Sequence, residues 1–294
     1  MSPADNSVDG ARVGAEHRDD GRPPLSRDGA GRASRAVDGI LAHQTQAGDG
    51  LDGAAPRVPI TTLDADLAAA LSATQLDIAQ RYARAPVHAL ARGPLGGEQL
   101  SGGGGLGLLI VDGFLVRTTT RGSTAVSELF GSQDLLAALA PGVAHQVWEV
   151  VAPARVAVLD ERFADAAARL PALSRALISR SLQQTDALAD RLVINTMTRV
   201  DDRLVALFCH IARRWGRVTS SGVVIDLPLT HRTLARLVGA QRPSVTTALS
   251  RLHADGVIER TGAEWRLAIP ADLLDAVVSP WRRALVHPDG SRHS

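Results

Sequence analysis

The 294 residues are 45% hydrophobic and 21% charged, the balance of a soluble globular protein, and at roughly 150 residues per domain they suggest two domains and a tail. One cysteine, Cys209, excludes an intramolecular disulfide, a cysteine zinc site and a cysteine-held iron–sulfur cluster. The net charge of +1 hides a split: residues 1–196 hold 18 Arg against 22 acids, and residues 197–294 hold 14 Arg against 9 acids, so a basic C-terminal part suited to a polyanion follows an acidic N-terminal one.

No stretch reaches the ~18 uncharged apolar residues of a membrane span. The best, Leu106 to Val116, is broken by Asp112, so no membrane partner is expected. The first 30 residues mix Asp, Arg and Gly without an apolar block, so no secretory signal is expected and the cytoplasm is the expected compartment.

Residues 1–58 read as a disordered tail: nine Gly, eight Asp and seven Arg, no aromatic residue, and apolar residues with no period. Order is expected near Ile60, with a helix start at Thr61–Asp64 followed by Leu67, Leu71 and Leu76. From Arg84 to Leu159 the signals are those of strands: Val87–Leu90, Leu106–Val111, Phe114–Thr118, Val147–Val151 and Val156–Leu159. Asp112-Gly113, between two of these runs, predicts a hairpin turn. Many short strands indicate a small β-roll or barrel-like sandwich. The run Ser101–Gly107 reads as a loop between strands. It lacks the Lys-Ser/Thr of a phosphate loop and precedes a strand rather than a helix, which leaves a nucleotide-binding enzyme as a weakly supported alternative.

Helix is expected after Arg162. No Gly or Pro interrupts Ser174 to Thr198, and Leu177, Gln184, Leu188, Leu192 and Asn195 form a heptad-like stripe, which predicts a homodimer through this helix. A second helix with Leu204, Leu207, Phe208, Ile211 and Trp215 on one face is expected to end at Gly216.

Residues 227–270 carry the functional signal. Thr230 is a natural cap for a short helix with Leu234, Leu237 and Val238 inside. Gly239-Ala240 makes a turn, and a second helix runs from about Arg242 to His253, with Pro243 in its first turn and Val245, Ala248, Leu249 and Leu252 inward. Two such helices are a helix-turn-helix. Val257–Glu259 and Trp265–Ile269, flanking Thr261-Gly262, predict a β-hairpin wing. From Pro228 to Leu252 there are four Arg and no acid. The candidate DNA-binding residues are Thr230, His231 and Arg232 on the first motif helix, and Arg242, Ser244, Thr246, Thr247, Ser250 and Arg251 on the second. Hydroxyls and guanidinium groups suit phosphates and base edges in a major groove.

The stretch LTHRTLARLVGAQRPSVTTALSRL from Leu229 to Leu252, followed by Gly256-Val257-Ile258-Glu259, resembles the helix-turn-helix of the cyclic-AMP receptor protein/FNR (Crp/Fnr) family, and the upstream order of roll, long helix and DNA-binding domain resembles it too. The resemblance implies an α+β chain: a tail over 1–58, a cyclic-nucleotide-binding-like β-roll sensor over 59–165, a dimerisation helix over 166–198, a winged helix-turn-helix DNA-binding domain over 199–270, and a tail with a short helix over 271–294. It also implies a homodimeric, cytoplasmic transcription regulator and not an enzyme. Its partners would be double-stranded DNA, a second copy of itself, RNA polymerase and an unidentified small-molecule effector, with no cofactor or metal.

The family's base-reading Arg falls on Arg242, but its Glu falls on Pro243 and its second Arg on Thr247, so the operator should differ from that of the cyclic-AMP receptor protein. In the roll, Phe130-Gly131 is followed by Ser132 where the family places a ribose-holding Glu, and Ala144-His145 stands where its phosphate-holding Arg pair lies. The sensor is therefore expected not to bind a cyclic nucleotide. A winged-helix regulator of another family with a small-molecule-sensing β domain is the closest alternative.

Overall fold

The computed structural model describes residues 55–95, 105–136 and 145–269. The tail expected before residue 55, residues 101–104 of the glycine run, Ala144 and the helix expected in 271–294 lie outside these.

The N-terminal half opens with β1 (Arg57–Pro59) and three short helices, α1 (Ile60–Leu63), α2 (Ala65–Ala69) and α3 (Ala73–Tyr82). The single helix start expected at Thr61 is corrected here. Asp64 accepts from Asp66 N (3.1 Å) and Leu67 N (3.0 Å) and begins α2. Ser72 and Gln75 form a reciprocal cap that begins α3. Each capping side chain satisfies amides that a continuous helix would have bonded internally.

Strands β2 (Arg84–Leu90), β3 (Gly93–Leu95), β4 (Gly107–Arg121), β5 (Thr124–Phe130), β6 (Leu135–Leu136) and β7 (His145–Leu159) follow. With β1 they form an antiparallel sheet in the order β1-β2-β7-β4-β5, with β3 also paired to β7 and β6 to β4. The expected turn at Asp112-Gly113 is a β-bulge inside the 15-residue β4, which pairs with β7 on both sides of it. Gly113 has φ +79°, and Asp112 accepts from the Arg155 backbone amide (3.0 Å) and from Arg155 Nε (2.6 Å). The extra residue reverses the phase of the strand. Leu108 and Ile110 face one apolar core before it, and Leu115 faces the same core after it. The hairpin turn is Gly122-Ser123, with Gly122 at φ +59°, between β4 and β5.

One face of the sheet packs Leu108, Ile110, Leu115, Phe130, Trp148 and Val156 together. The other packs Val87, Leu109 and Leu159 against Ile60, Leu67 and Phe163 of the flanking helices. Helix α4 (Glu161–Ala168) precedes α5 (Pro171–Thr196), 26 residues long with Pro171 in its first turn, so the long helix starts three residues before the expected Ser174 and ends two before Thr198. Its expected stripe also shifts. Leu177 is buried in the N-terminal core, whereas Ile178, Leu182 and Leu192 are about 60% exposed, with exposed Thr185 and Ala189 between them at heptad spacing.

Helix α6 (Val200–Trp215) ends at Gly216 as expected. Strands β8 (Arg217–Thr219) and β9 (Gly222–Asp226) were not foreseen in Val223-Val224-Ile225. They join the wing strands β10 (Ile258–Thr261) and β11 (Glu264–Leu267) in a sheet of order β10-β11-β9-β8. Between them lie α7 (His231–Leu237) and α8 (Arg242–Ala254). Leu204, Phe208, Ile225, Leu234, Val245, Leu249 and Trp265 share one core, which also takes in Val116, Leu129 and Val151 of the roll. Trp215 donates to Ser132 O (3.1 Å) and meets Phe114 edge-on, and Arg236 of α7 pairs with Glu149 of β7 at 2.5 Å, so the C-terminal unit is docked on the roll.

Candidate nucleic-acid interface

Helix α7 starts where Thr230 Oγ1 accepts from Thr233 N (3.1 Å), and its Leu234, Ala235 and Leu237 are buried. The chain then turns at Gly239, whose φ of +60° is the left-handed conformation that glycine adopts without steric cost. Arg203 of α6 fixes that turn by donating from Nη1 to Val238 O (3.1 Å) and Gly239 O (3.3 Å), a role invisible in the local sequence. Helix α8 has Gln241 at its N-cap with no capping side-chain bond, and Val245, Ala248, Leu249 and Leu252 are buried. Its first-turn amides and helix dipole therefore present positive potential where Arg242 stands.

Opposite the core lie Arg242, Ser244, Thr246, Thr247 and Ser250, all exposed. Thr246, Thr247 and Ser250 donate their hydroxyl hydrogens to the carbonyls of Arg242 (3.1 Å), Pro243 (3.2 Å) and Thr246 (3.1 Å). That leaves their oxygen lone pairs outward, as acceptors suited to the amino groups of cytosine or adenine. His231, half-buried on α7, bridges to Thr246 Oγ1 at 3.0 Å. Its burial, with Arg260 and Arg242 nearby, lowers its pKa, so it is neutral at pH 7. Arg232 and Thr230 are exposed at the start of α7.

Arg251 differs from the others. It is exposed, but Nε and Nη2 donate to Asp201 Oδ1 (3.2 and 3.1 Å) and Nη2 also to Oδ2 (3.0 Å), so most of its guanidinium is engaged within the chain. Segment 228–252 has no acid of its own, but tertiary folding brings Asp201 of α6 to its edge. Arg260 of the wing, packed over Trp265 at 5.0 Å, was also missed; its electrostatic effect on His231 places it near the motif.

Among the described residues no group of three or more His, Cys, Asp or Glu could hold a metal, and no helix is long and apolar enough to cross a membrane. Burial pushes the Cys209 thiol up to about 11, which suits a packing residue. In the roll, Ser132 donates its hydroxyl to Val111 O (2.8 Å).

Residues 202–275 match the family model of the Crp-like helix-turn-helix domain. The chain is similar to the regulatory protein CysR of Synechococcus elongatus, 36% identical over 94 residues, which is 31% of this chain and 44% of that protein. It is also similar to ycf28 of Porphyra purpurea, named as an HTH-type transcriptional regulator, 34% identical over 53 residues, 18% of this chain and 22% of that protein. Both matches span less than half of the relative's length. Among solved structures, FixK2 from Bradyrhizobium japonicum has the same fold, with a TM-score of 0.50 at 17% identity over 66% of this chain and 96% of that one. A CooA double mutant from Carboxydothermus hydrogenoformans gives 0.51 at 14% over 66% and 88%.

Proposed function

Since residues 202–275 are a Crp-like helix-turn-helix domain in a chain of the Crp/Fnr fold, we propose that the protein is a sequence-specific DNA-binding regulator of transcription. The observation that carries this reading is the exposed face of α8, where an arginine and four hydroxyls stand at and beyond an uncapped helix N-terminus and to which the helix itself contributes no acid; the nearby Asp201 of α6 is paired with Arg251. A groove-reading helix needs such a surface, and a purely structural helix does not.

The acting form in this reading is a homodimer joined along Ile178, Leu182, Thr185, Ala189 and Leu192 of α5, an apolar stripe that one copy leaves in water. Two α8 helices would then read half-sites about one DNA turn, ~34 Å, apart. The reading keeps the division into roll (59–165), dimer helix (166–198) and DNA-binding unit (199–270), works in the cytoplasm with RNA polymerase as partner, and includes no catalytic step. It also holds the roll incompetent for cyclic nucleotides. Support comes from Ser132, which cannot replace a carboxylate on ribose and whose hydroxyl is already committed to Val111 O.

The test is capture of genomic fragments by the purified chain, followed by binding isotherms across salt concentrations. The expected result is a palindromic consensus whose log affinity falls linearly with log salt. Absence of binding at 50 mM salt, where phosphate contacts are strong, refutes the reading.

A further inference from the structure

Three elements of the winged motif converge on His231. The imidazole is half-buried on α7, and Arg242 of α8 and Arg260 of the wing stand close enough to act on it electrostatically. Arg232 follows it in the chain. The acids of the neighbouring elements are turned elsewhere: Glu259 of the wing to Arg266, Glu149 of β7 to Arg236, and Glu128 of β5 to Arg117. Among the described residues no carboxylate acts on the ring. Arg260 is held at its root, with Nε donating to Gly262 O (3.1 Å) and the guanidinium over Trp265, while Nη1 and Nη2 have no hydrogen-bond partner among the described residues.

The hydrogen-bond network fixes the tautomer of the ring. The Thr246 hydroxyl has one hydrogen and gives it to Arg242 O (3.1 Å), so the 3.0 Å bridge between Thr246 Oγ1 and His231 Nδ1 takes its hydrogen from Nδ1. A neutral imidazole carries one N–H, so Nε2 is left with a bare lone pair and no partner among the described residues. Burial and the two guanidinium groups favour this neutral form. A bare nitrogen repels an anionic oxygen, whereas a protonated one makes a charge-assisted hydrogen bond to it.

We propose that His231 Nε2 and the free end of Arg260 form a seat for one phosphate of the DNA backbone, and that the imidazole takes up a proton from solvent as the phosphate arrives. Thr246 is the positioning residue: by holding the hydrogen of the neutral ring on Nδ1, it makes the phosphate contact conditional on that proton. Arg242 keeps its place at the base edge. The phosphate supplies the negative charge that this cluster of cations lacks, so binding raises the pKa of His231. A group whose pKa rises on binding favours the complex at low pH, and the advantage is lost as pH climbs through the bound value. DNA affinity should therefore increase from pH 8 to pH 6, whereas a seat built from arginine alone would be indifferent to pH over this range. The seat rests on the DNA-binding reading and gives that interface a backbone contact and a pH response.

A captured DNA fragment is titrated with the full chain by fluorescence anisotropy at pH 6.0 and 8.0 and constant ionic strength, with circular dichroism at both pH values as the fold control. The native chain should bind at least about fivefold tighter at pH 6.0. Calorimetry at pH 7 in two buffers of different ionisation enthalpy should show net proton uptake. His231→Gln should bring the ratio of the two affinities below about twofold. If that variant does not fold, His231→Arg, whose charge is fixed, should do the same. Thr246→Val lets the neutral ring carry its hydrogen on Nε2 and should also reduce the ratio. Arg260→Ala should lower the slope of log affinity against log salt by about one unit, as loss of one phosphate contact requires. A native ratio below twofold, no proton uptake, or a native-sized ratio in His231→Gln or His231→Arg overturns the seat. A native-sized ratio in Thr246→Val overturns the lock, and an unchanged salt slope in Arg260→Ala overturns the part given to Arg260. Absence of binding at both pH values would refute the DNA reading and the seat with it, whereas binding without a pH response refutes the seat alone.

Discussion

Replacing Arg242 by Ala separates base reading from general attraction to DNA. The side chain is exposed, makes no side-chain hydrogen bond or ion pair among the described residues, and its backbone carbonyl accepts from Thr246, so the fold should change by less than about 0.5 kcal/mol. At the DNA, loss of a bidentate guanidinium contact costs about 1–3 kcal/mol, or about 5- to 150-fold in affinity, and the loss should concentrate on one base pair. Arg232→Ala, if Arg232 meets phosphate, should weaken all sequences alike and reduce the salt slope by about one unit. Arg251→Ala should cost less than Arg242→Ala, because Arg251 must first leave Asp201. Asp201→Ala frees that guanidinium and should tighten binding to every sequence. The assay is fluorescence anisotropy against the selected site and its single-base variants, with circular dichroism as the fold control. An isotherm unchanged by Arg242→Ala, on an intact fold, refutes the assignment and moves readout to Ser244, Thr246 or the wing.

Leu182→Asp should convert the dimer to a monomer in sedimentation at micromolar concentration, since a charge would replace a side chain worth about 1.5–3 kcal/mol of burial in each copy; a native chain that is already monomeric removes the dimer and its palindromic site together. Cyclic AMP and cyclic GMP should give no calorimetric signal at micromolar concentration, and tight binding of either would mean that a carboxylate other than the one expected at Ser132 holds the ribose. Gly113→Val should destabilise by about 3 kcal/mol or more, on the order of 6–12 °C in Tm, because the new Cβ would lie 2.2 Å from Pro153 O at a φ of +79°; a normal Tm would mean that the bulge can relax. His210 is buried 3.8 Å from Asp190, beside Arg213, Arg214 and Arg191, and burial holds its pKa below the ordinary value. Its folded form binds the proton less readily than the unfolded chain, so stability is in place above about pH 6.5 and falls as pH drops toward the folded pKa. Urea unfolding at pH 7.5 and 5.5 should show that fall, and His210→Gln should reduce it; an equal fall in both chains contradicts the sign.

Much of the C-terminal unit was legible in order of residues because its signals are local. Thr230 caps a helix three residues on, Gly239 alone can take the left-handed turn, and Val245, Ala248, Leu249 and Leu252 repeat at the helical period, so each fixes structure within one or two turns of itself. The roll was legible as strands but not as pairings. Asp112-Gly113 offers the backbone a left-handed residue that a hairpin and a bulge use equally; pairing of both flanks with β7, 43 residues away at Arg155, selected the bulge. The same distance effect hid the charges that matter at the sites. Asp201 reaches Arg251 across 50 residues, and Arg203 reaches the Gly239 turn across 36. Local chemistry was enough to show that α8 carries a polar, arginine-led face; which of its guanidinium groups is engaged within the chain depends on how α6 folds against it, because ion pairing is set by separations of a few ångströms that sequence spacing does not encode.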